Sequence, residues 1–140
     1  MKTVCSAPVM IVDDNEIDIF INKKVIEFNR FAETSICMTS ASEALTYLKN
    51  KNTLPEVIFL DLNMPVMDGY QFLLDFSKFP KEIKDQIKIV VLTSSDNDRD
   101  KEKAAANPDV MSFVCKPLNE NKLNKIKAEL FDLKQLPEEV

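Results

Sequence analysis

Val57-Ile58-Phe59-Leu60-Asp61 is four apolar residues in a row and then an acid. A strand with one wet face alternates apolar and polar residues. An unbroken run instead fits a strand buried on both faces, as in a parallel sheet covered by helices on each side. The pattern recurs in Val9-Met10-Ile11-Val12, which runs into Asp13-Asp14, and in Ile89-Val90-Val91-Leu92, which runs into Thr93-Ser94. Two shorter stretches, Ile36-Cys37-Met38 and Phe113-Val114-Cys115, read in the same style. The second leads into Lys116-Pro117, and together they bring the expected number of strands to five.

Helical patterns separate these runs. Ile17, Phe20, Ile21, Val25 and Phe28 share one stripe of an amphipathic helix, expected to face the core. Ser40 and Glu43 have capping-box spacing ahead of Ala41, Ala44, Leu45 and Leu48, which predicts a second helix ending before Pro55. A third begins after Gly69 with Tyr70, Phe72, Leu73, Leu74 and Phe76. A fourth, from Ser95 to Ala106, has little apolar surface beyond Ala104, Ala105 and Ala106 and is expected to be loosely held. The fifth starts near Asn119 with Leu123, Ile126, Leu130 and Leu133 inward, while Lys122, Lys125 and Lys127 read as a solvated face. The polar connection from Lys78 to Gln86, which contains Pro80, has room for one more turn of helix. Strand and helix alternate five times, the pattern of a single doubly wound α/β domain spanning 5-136, with no separate output domain expected.

Composition removes several function classes. The 140 residues hold 18 basic and 23 acidic side chains, a net charge of −5, which disfavours nonspecific binding to nucleic acid. Histidine is absent, so Ser-His-Asp and Cys-His catalysis and histidine-containing metal sites are excluded, and the chain cannot carry a phosphohistidine. Gly69 is the one glycine, too few for a glycine-rich phosphate loop. Cys5, Cys37 and Cys115 are odd in number and far apart, and the first residues lack the apolar stretch of a signal peptide; a reducing cytoplasm is the expected location. The apolar runs are far shorter than the ~18–20 residues of a membrane span.

In an open parallel sheet, ligands bind beyond the carboxyl ends of the strands. The residues there are Asp13, Asp14, Asp61, Thr93, Ser94 and Lys116. Carboxylates this close need compensation, and a donor set of oxygens alone suits a hard octahedral ion such as Mg²⁺. Lys116 and Thr93 could hold a phosphoryl group against that ion, and Asp61, alone at the end of a central strand, is the candidate to attack phosphorus and form an aspartyl phosphate. Taken singly these residues have blander readings: Asp13-Asp14 as a helix cap, Thr93-Ser94 as a helix start, Lys116 as a solvated lysine. Their shared position at four strand ends changes the reading.

Val12-Asp13-Asp14-Asn15, the segment from Asp61 to Gly69 (DLNMPVMDG), Thr93-Ser94 and Lys116-Pro117 stand in an order that resembles the receiver domain of two-component response regulators, over nearly the whole chain. The resemblance implies a flavodoxin-like sheet of strand order 2-1-3-4-5 flanked by five helices. It implies that Asp61 accepts the phosphoryl group, and that Mg²⁺ is bound by Asp14, Asp61 and the main-chain carbonyl of Asn63, with Asp13 acting through water. It further implies that Lys116 contacts the phosphoryl oxygens, that the Lys116-Pro117 bond is cis, and that Gly69 supplies backbone freedom in the loop after Asp61. The donor would be a histidine kinase or a histidine phosphotransfer protein. Thr93 and Phe113 would act as the switch, altering a target-binding surface on the fourth helix, fifth strand and fifth helix. Phe113 stands where many relatives have tyrosine, and simple core packing is an equal reading of it. Asn63 and Ser95, the family's positions for tuning phosphoryl lifetime, carry no carboxylate able to activate water.

Two other readings stay open on sequence alone. A receiver that binds partners without being phosphorylated is opposed by the intact set of acids, hydroxyl and lysine. A haloacid-dehalogenase-like phosphatase usually has a second aspartate two residues after the nucleophile, where this chain has Asn63.

Overall fold

A computed structural model describes residues 3–50, 53–64, 68–94 and 98–135. The elements run β1 (Val9–Val12), α1 (Glu16–Phe28), β2 (Ser35–Met38), α2 (Ala41–Asn50), β3 (Val57–Asp61), α3 (Gly69–Ser77), α4 (Lys81–Lys84), β4 (Lys88–Thr93), α5 (Asp98–Ala106), β5 (Val110–Cys115) and α6 (Glu120–Gln135). The five strands form one parallel sheet in the order β2-β1-β3-β4-β5, as expected. Among the described residues six helices flank it rather than five, because the Lys78 to Gln86 connection folds into the short α4. Phe79 and Ile87 on either side of that turn are buried. The expected fourth and fifth helices are therefore α5 and α6. Ser95, Pro65, Val66, Met67 and the expected domain end at 136 lie outside the described residues.

Side chains alternate faces along each strand, so each apolar run feeds two cores. Met10, Val12, Ile58, Leu60, Ile89 and Val91 pack with α2, α3 and Phe79 on one face. Val9, Ile11, Val57, Phe59, Val90 and Leu92 pack with α1 and α6 on the other. The runs Val9–Val12, Val57–Leu60 and Ile89–Leu92 within β1, β3 and β4 are unbroken and apolar because neither of their faces meets water. The capping box of α2 forms in extended fashion: the Glu43 amide donates to Ser40 Oγ at 3.1 Å, and Glu43 Oε1 accepts from both the amide and the hydroxyl of Thr39.

Helix α1 departs from the expected orientation. Its inward residues are Ile19, Asn22 and Ile26, with Val25 half-buried, whereas Ile17, Phe20 and Phe28 are 70%, 61% and 84% exposed. Direct exit from β1 sets the rotation. Asn15 caps the helix three residues after the strand ends, its Oδ1 accepting from the amides of Ile17 and Asp18, and this leaves the apolar stripe outward. Helix α6 buries Leu123, Ile126 and Leu130 as expected, but Leu133 is exposed one turn later. In α5 only Ala104 of the three alanines is buried. Among the described residues no helix is long and apolar enough to cross a membrane.

Candidate functional site

Sheet register assembles the site. Val12 pairs with Leu60, so Asp13, one residue on, lies beside Asp61. Asp61 pairs with Leu92, so Thr93 is one residue further along the next strand. A register shift between Ile89 and Val90 then sets Thr93 opposite Cys115, which places Lys116 at the strand's exit with its amide donating to the Thr93 carbonyl at 2.8 Å. Continuing the alternation, Asp13 and Asp61 fall on the same face as Ile11 and Phe59, the face covered by α1 and α6.

Carboxylate oxygens of Asp13, Asp14 and Asp61 all lie within 4.8 Å of one another, with Asp13 and Asp61 buried and Asp14 exposed. Both oxygens of Asp13 are engaged: Oδ1 accepts from the Asn15 amide at 2.9 Å and Oδ2 from Lys116 Nζ at 2.9 Å. Asp61 Oδ1 accepts from the Asn63 amide at 3.1 Å, while its Oδ2 faces Lys116 Nζ at 3.5 Å. The Asn63 side-chain amide donates to the hydroxyl of the fully buried Thr93 at 3.2 Å. Phe113 is half-buried against the α2 and α3 side of the core. The Lys116–Pro117 peptide is cis, as the resemblance implies.

Electrostatics follow from this crowding. Burial, reinforced by the charge of Asp13, pushes the Asp61 carboxyl from 3.8 up to about 6, against the opposing effects of the Asn63 amide and of Lys116. Burial also works to neutralise Lys116, but hydrogen bonds to Asp13 and Asp18 and the charge of Asp61 outweigh it and hold the ammonium above its ordinary value. One ammonium therefore does not balance the acids around it. An oxygen-only set of this kind fits a divalent cation, which would relieve the remaining repulsion.

Two residues outside the strand ends belong to the site. Asp18, on the first turn of α1, accepts from Lys116 Nζ at 2.9 Å. Lys122 is no bystander of a solvated face: its Nζ donates to the carbonyls of Cys115 at 2.7 Å and Pro117 at 3.0 Å, fixing the turn that carries Lys116. Asp18 follows Asp14 by one helical turn, the one sequence signal that could have brought it forward; Lys122 has none. Gly69 corrects another expectation. It has no positive φ. Its requirement is space, since a Cβ there would stand 2.7 Å from Leu62 Cα and 2.8 Å from the Asp61 carbonyl oxygen.

A shallow depression lined by Asp14, Asn15, Glu16, Ile17 and Thr39 adjoins the acidic cluster, so the outward apolar face of α1 begins at the edge of the site.

The family model of the response regulator receiver domain matches residues 9–127. The probable methanogenesis regulatory protein FilR2 of Methanothrix harundinacea is 29% identical over 126 residues, covering 87% of this chain and 79% of that protein. In the putative two-component response regulator ARR13 of Arabidopsis thaliana, also 29% identical, the match covers 89% of this chain but 21% of the longer protein. A crystal structure of a two-component response regulator from Cytophaga hutchinsonii superposes with a TM-score of 0.85 at 28% identity, covering 94% of this chain and 99% of that one. Response regulator Rcp1, known from Synechocystis sp., has a solved Mn²⁺-bound form with a TM-score of 0.69 at 25% identity, covering 86% of this chain and 88% of that one. With the strand order, the acidic cluster and these likenesses in agreement, the chain belongs to the response regulator receiver domains, the signalling modules of two-component phosphorelays.

Proposed function

We propose that residues 5-136 form a phosphoacceptor unit in which Asp61 takes a phosphoryl group from a phosphohistidine on a sensor kinase or a histidine phosphotransfer protein. The observation that carries this reading is the convergence of the Asp13, Asp14 and Asp61 carboxylates on one pocket with Lys116 Nζ 3.5 Å from Asp61. An Asp61 oxygen forms the new bond to phosphorus, the bond from phosphorus to the donor imidazole nitrogen breaks, and the imidazole leaves with that electron pair. Asp14, Asp61 and the main-chain carbonyl of Asn63 would hold Mg²⁺, which supplies charge neutralisation for the phosphoryl oxygens. Asp13 would act through a metal-bound water, a role that suits a carboxylate whose two oxygens are already engaged by Asn15 and Lys116.

Lys116 meets the negative charge on the phosphoryl oxygens, and Thr93 hydrogen-bonds the product once its hydroxyl leaves the Asn63 side chain. Movement of Thr93, with Phe113, is the switch. It alters the surface formed by α5, β5 and α6, where a downstream protein binds. The donor protein approaches across the exposed face of α1. The chain's own phosphorylation and dephosphorylation are its only catalysis, and it works in the reducing cytoplasm by protein contact, without nucleic acid or membrane.

Incubation with acetyl phosphate and Mg²⁺, followed by intact-mass measurement, tests the reading. The expected result is gain of one phosphoryl group that is lost in Asp61→Asn. Steady turnover of small phosphate esters would instead indicate a phosphatase, and absence of any modification a binding module that works without phosphorylation.

A further inference from the structure

We propose that Asp18 is a positioning residue that competes with the incoming phosphoryl group for Lys116, and thereby sets how readily the pocket accepts an anion. The inference rests on the reading of Asp61 as phosphoacceptor and concerns a residue outside the expected acceptor and metal set.

A lysine ammonium has three N–H donors. Lys116 directs one to Asp13 Oδ2 at 2.9 Å and one to Asp18 Oδ2 at 2.9 Å, and its Nζ stands 3.5 Å from Asp61 Oδ2. Two donors are committed to other acids and one is left on the Asp61 side, so for Lys116 to turn more than one donor to the phosphoryl oxygens, Asp13 or Asp18 must give way. Asp13 has a side chain only 2% exposed, and a carboxylate left unpaired there would be strained by burial. Asp18 is 36% exposed and can exchange the ammonium for water. It also sits in the first turn of α1, where the helix N-terminus favours a negative charge on its own. Asp18 is therefore the partner that Lys116 gives up.

Two consequences have opposite signs. Removing the Asp18 charge frees Lys116 to lean toward Asp61, which makes the pocket more receptive to anions and less receptive to cations. A residue that merely shaped the pocket would weaken both when altered.

The test compares wild type, Asp18→Asn and Asp18→Glu. Beryllofluoride affinity is read by fluorine NMR at saturating Mg²⁺, and Mn²⁺ affinity by water-proton relaxation. Asp18→Asn is expected to bind beryllofluoride about fivefold more tightly and Mn²⁺ about twofold more weakly, changes on the scale of one partly exposed ion pair. Asp18→Glu, which keeps the charge, is expected to return both values toward wild type. Equal or weaker beryllofluoride binding by Asp18→Asn overturns the proposal while leaving the Asp61 reading intact. Failure of the wild type to bind beryllofluoride overturns both.

Discussion

The Tyr70 hydroxyl donates a 2.6 Å hydrogen bond to Asp100 Oδ1, tying the first turn of α3 to the first turn of α5, and the Lys103 ammonium lies 4.8 Å from the centre of the same ring. Burial, then the hydrogen bond and charge of Asp100, raise the pKa of this phenol above its ordinary value, so it stays a donor at neutral pH. Helix α5 buries only Ala104, so it has little apolar anchorage and depends on such polar ties. Tyr70→Phe is expected to speed amide exchange across Asp98–Ala106 about fivefold to tenfold, the equivalent of one ordinary, partly solvated hydrogen bond. Exchange in β1 and β3 should stay at wild-type rates. A uniform acceleration over the whole sheet would show that the contact supports global stability instead of holding one helix.

Gly69 closes the chain back onto the end of β3, its amide donating to the Leu62 carbonyl at 3.0 Å. The nearest atoms an added Cβ would meet are backbone, next to the Asp61 side chain, and they cannot rotate away. Gly69→Ala is expected to destabilise by about 1–3 kcal/mol, the range for overpacking a tight site. Urea unfolding measures the loss, and amide chemical shifts of Asp61 and Leu62 should move with it. An unchanged urea midpoint would mean that the loop gives way at little cost.

Much of this molecule is legible in its residues because the three central strands are buried on both faces, whereas the edge strands β2 and β5 are only partly covered. The unbroken run Val9–Val12 coincides with β1 to the residue, and the polar residues that follow such runs are Asp13, Asp61, Thr93 and Lys116. What a one-dimensional reading lacks is rotation. Ile17, Phe20, Ile21 and Phe28 do form a stripe, but periodicity says only that a helix has an apolar side, not that this side faces inward. Here the cap at Asn15 fixes the angle, and the core receives Ile19, Ile26 and a polar Asn22 instead. Asp18 and Lys122 escape the sequence for a related reason: each reaches the site by its side chain from a helix, and strand-end logic does not look there.

The elevated Asp61 carboxyl makes stability depend on pH with a defined sign. Its folded pKa, about 6, exceeds the ordinary 3.8, so between those values the folded protein holds the proton that the unfolded chain has released. Stability from this group is therefore full below about pH 4, falls as pH rises, and is lost above about pH 6. A pKa difference of that size corresponds to about 3 kcal/mol as an upper bound, and sharing with Asp13 and Lys116 reduces the expected change to about 1–2 kcal/mol. With chelator present, Asp61→Asn should be more stable than wild type by that amount at pH 8 and indistinguishable at pH 4. Urea midpoints at both values provide the measurement. A divalent cation should narrow the pH 8 difference by raising the wild type.

The outward stripe of α1 offers the sharpest separation between chemistry and recognition. Ile17 and Phe20 contribute little to the core, being 70% and 61% exposed, yet Ile17 lines the depression that also holds Asp14. On the proposed role of Asp61, a phosphohistidine would have to come within bonding distance of its carboxylate, so the protein bearing it would cover the surface around that depression, and large apolar side chains at such a boundary would become buried on docking. Replacing Ile17 and Phe20 together by serine is expected to slow phosphoryl transfer from the donor protein at least about tenfold, in line with the loss of central apolar contacts at an interface. The acetyl phosphate reaction, which needs no docking, should keep its rate, and stability should change by no more than about 0.5 kcal/mol because neither side chain belongs to the core and the contact of Phe20 with the Lys24 ammonium is a surface one. Equal slowing with both donors would place the effect in the pocket through Asn15 and Asp14, and the face of α1 would then have no part in recognition.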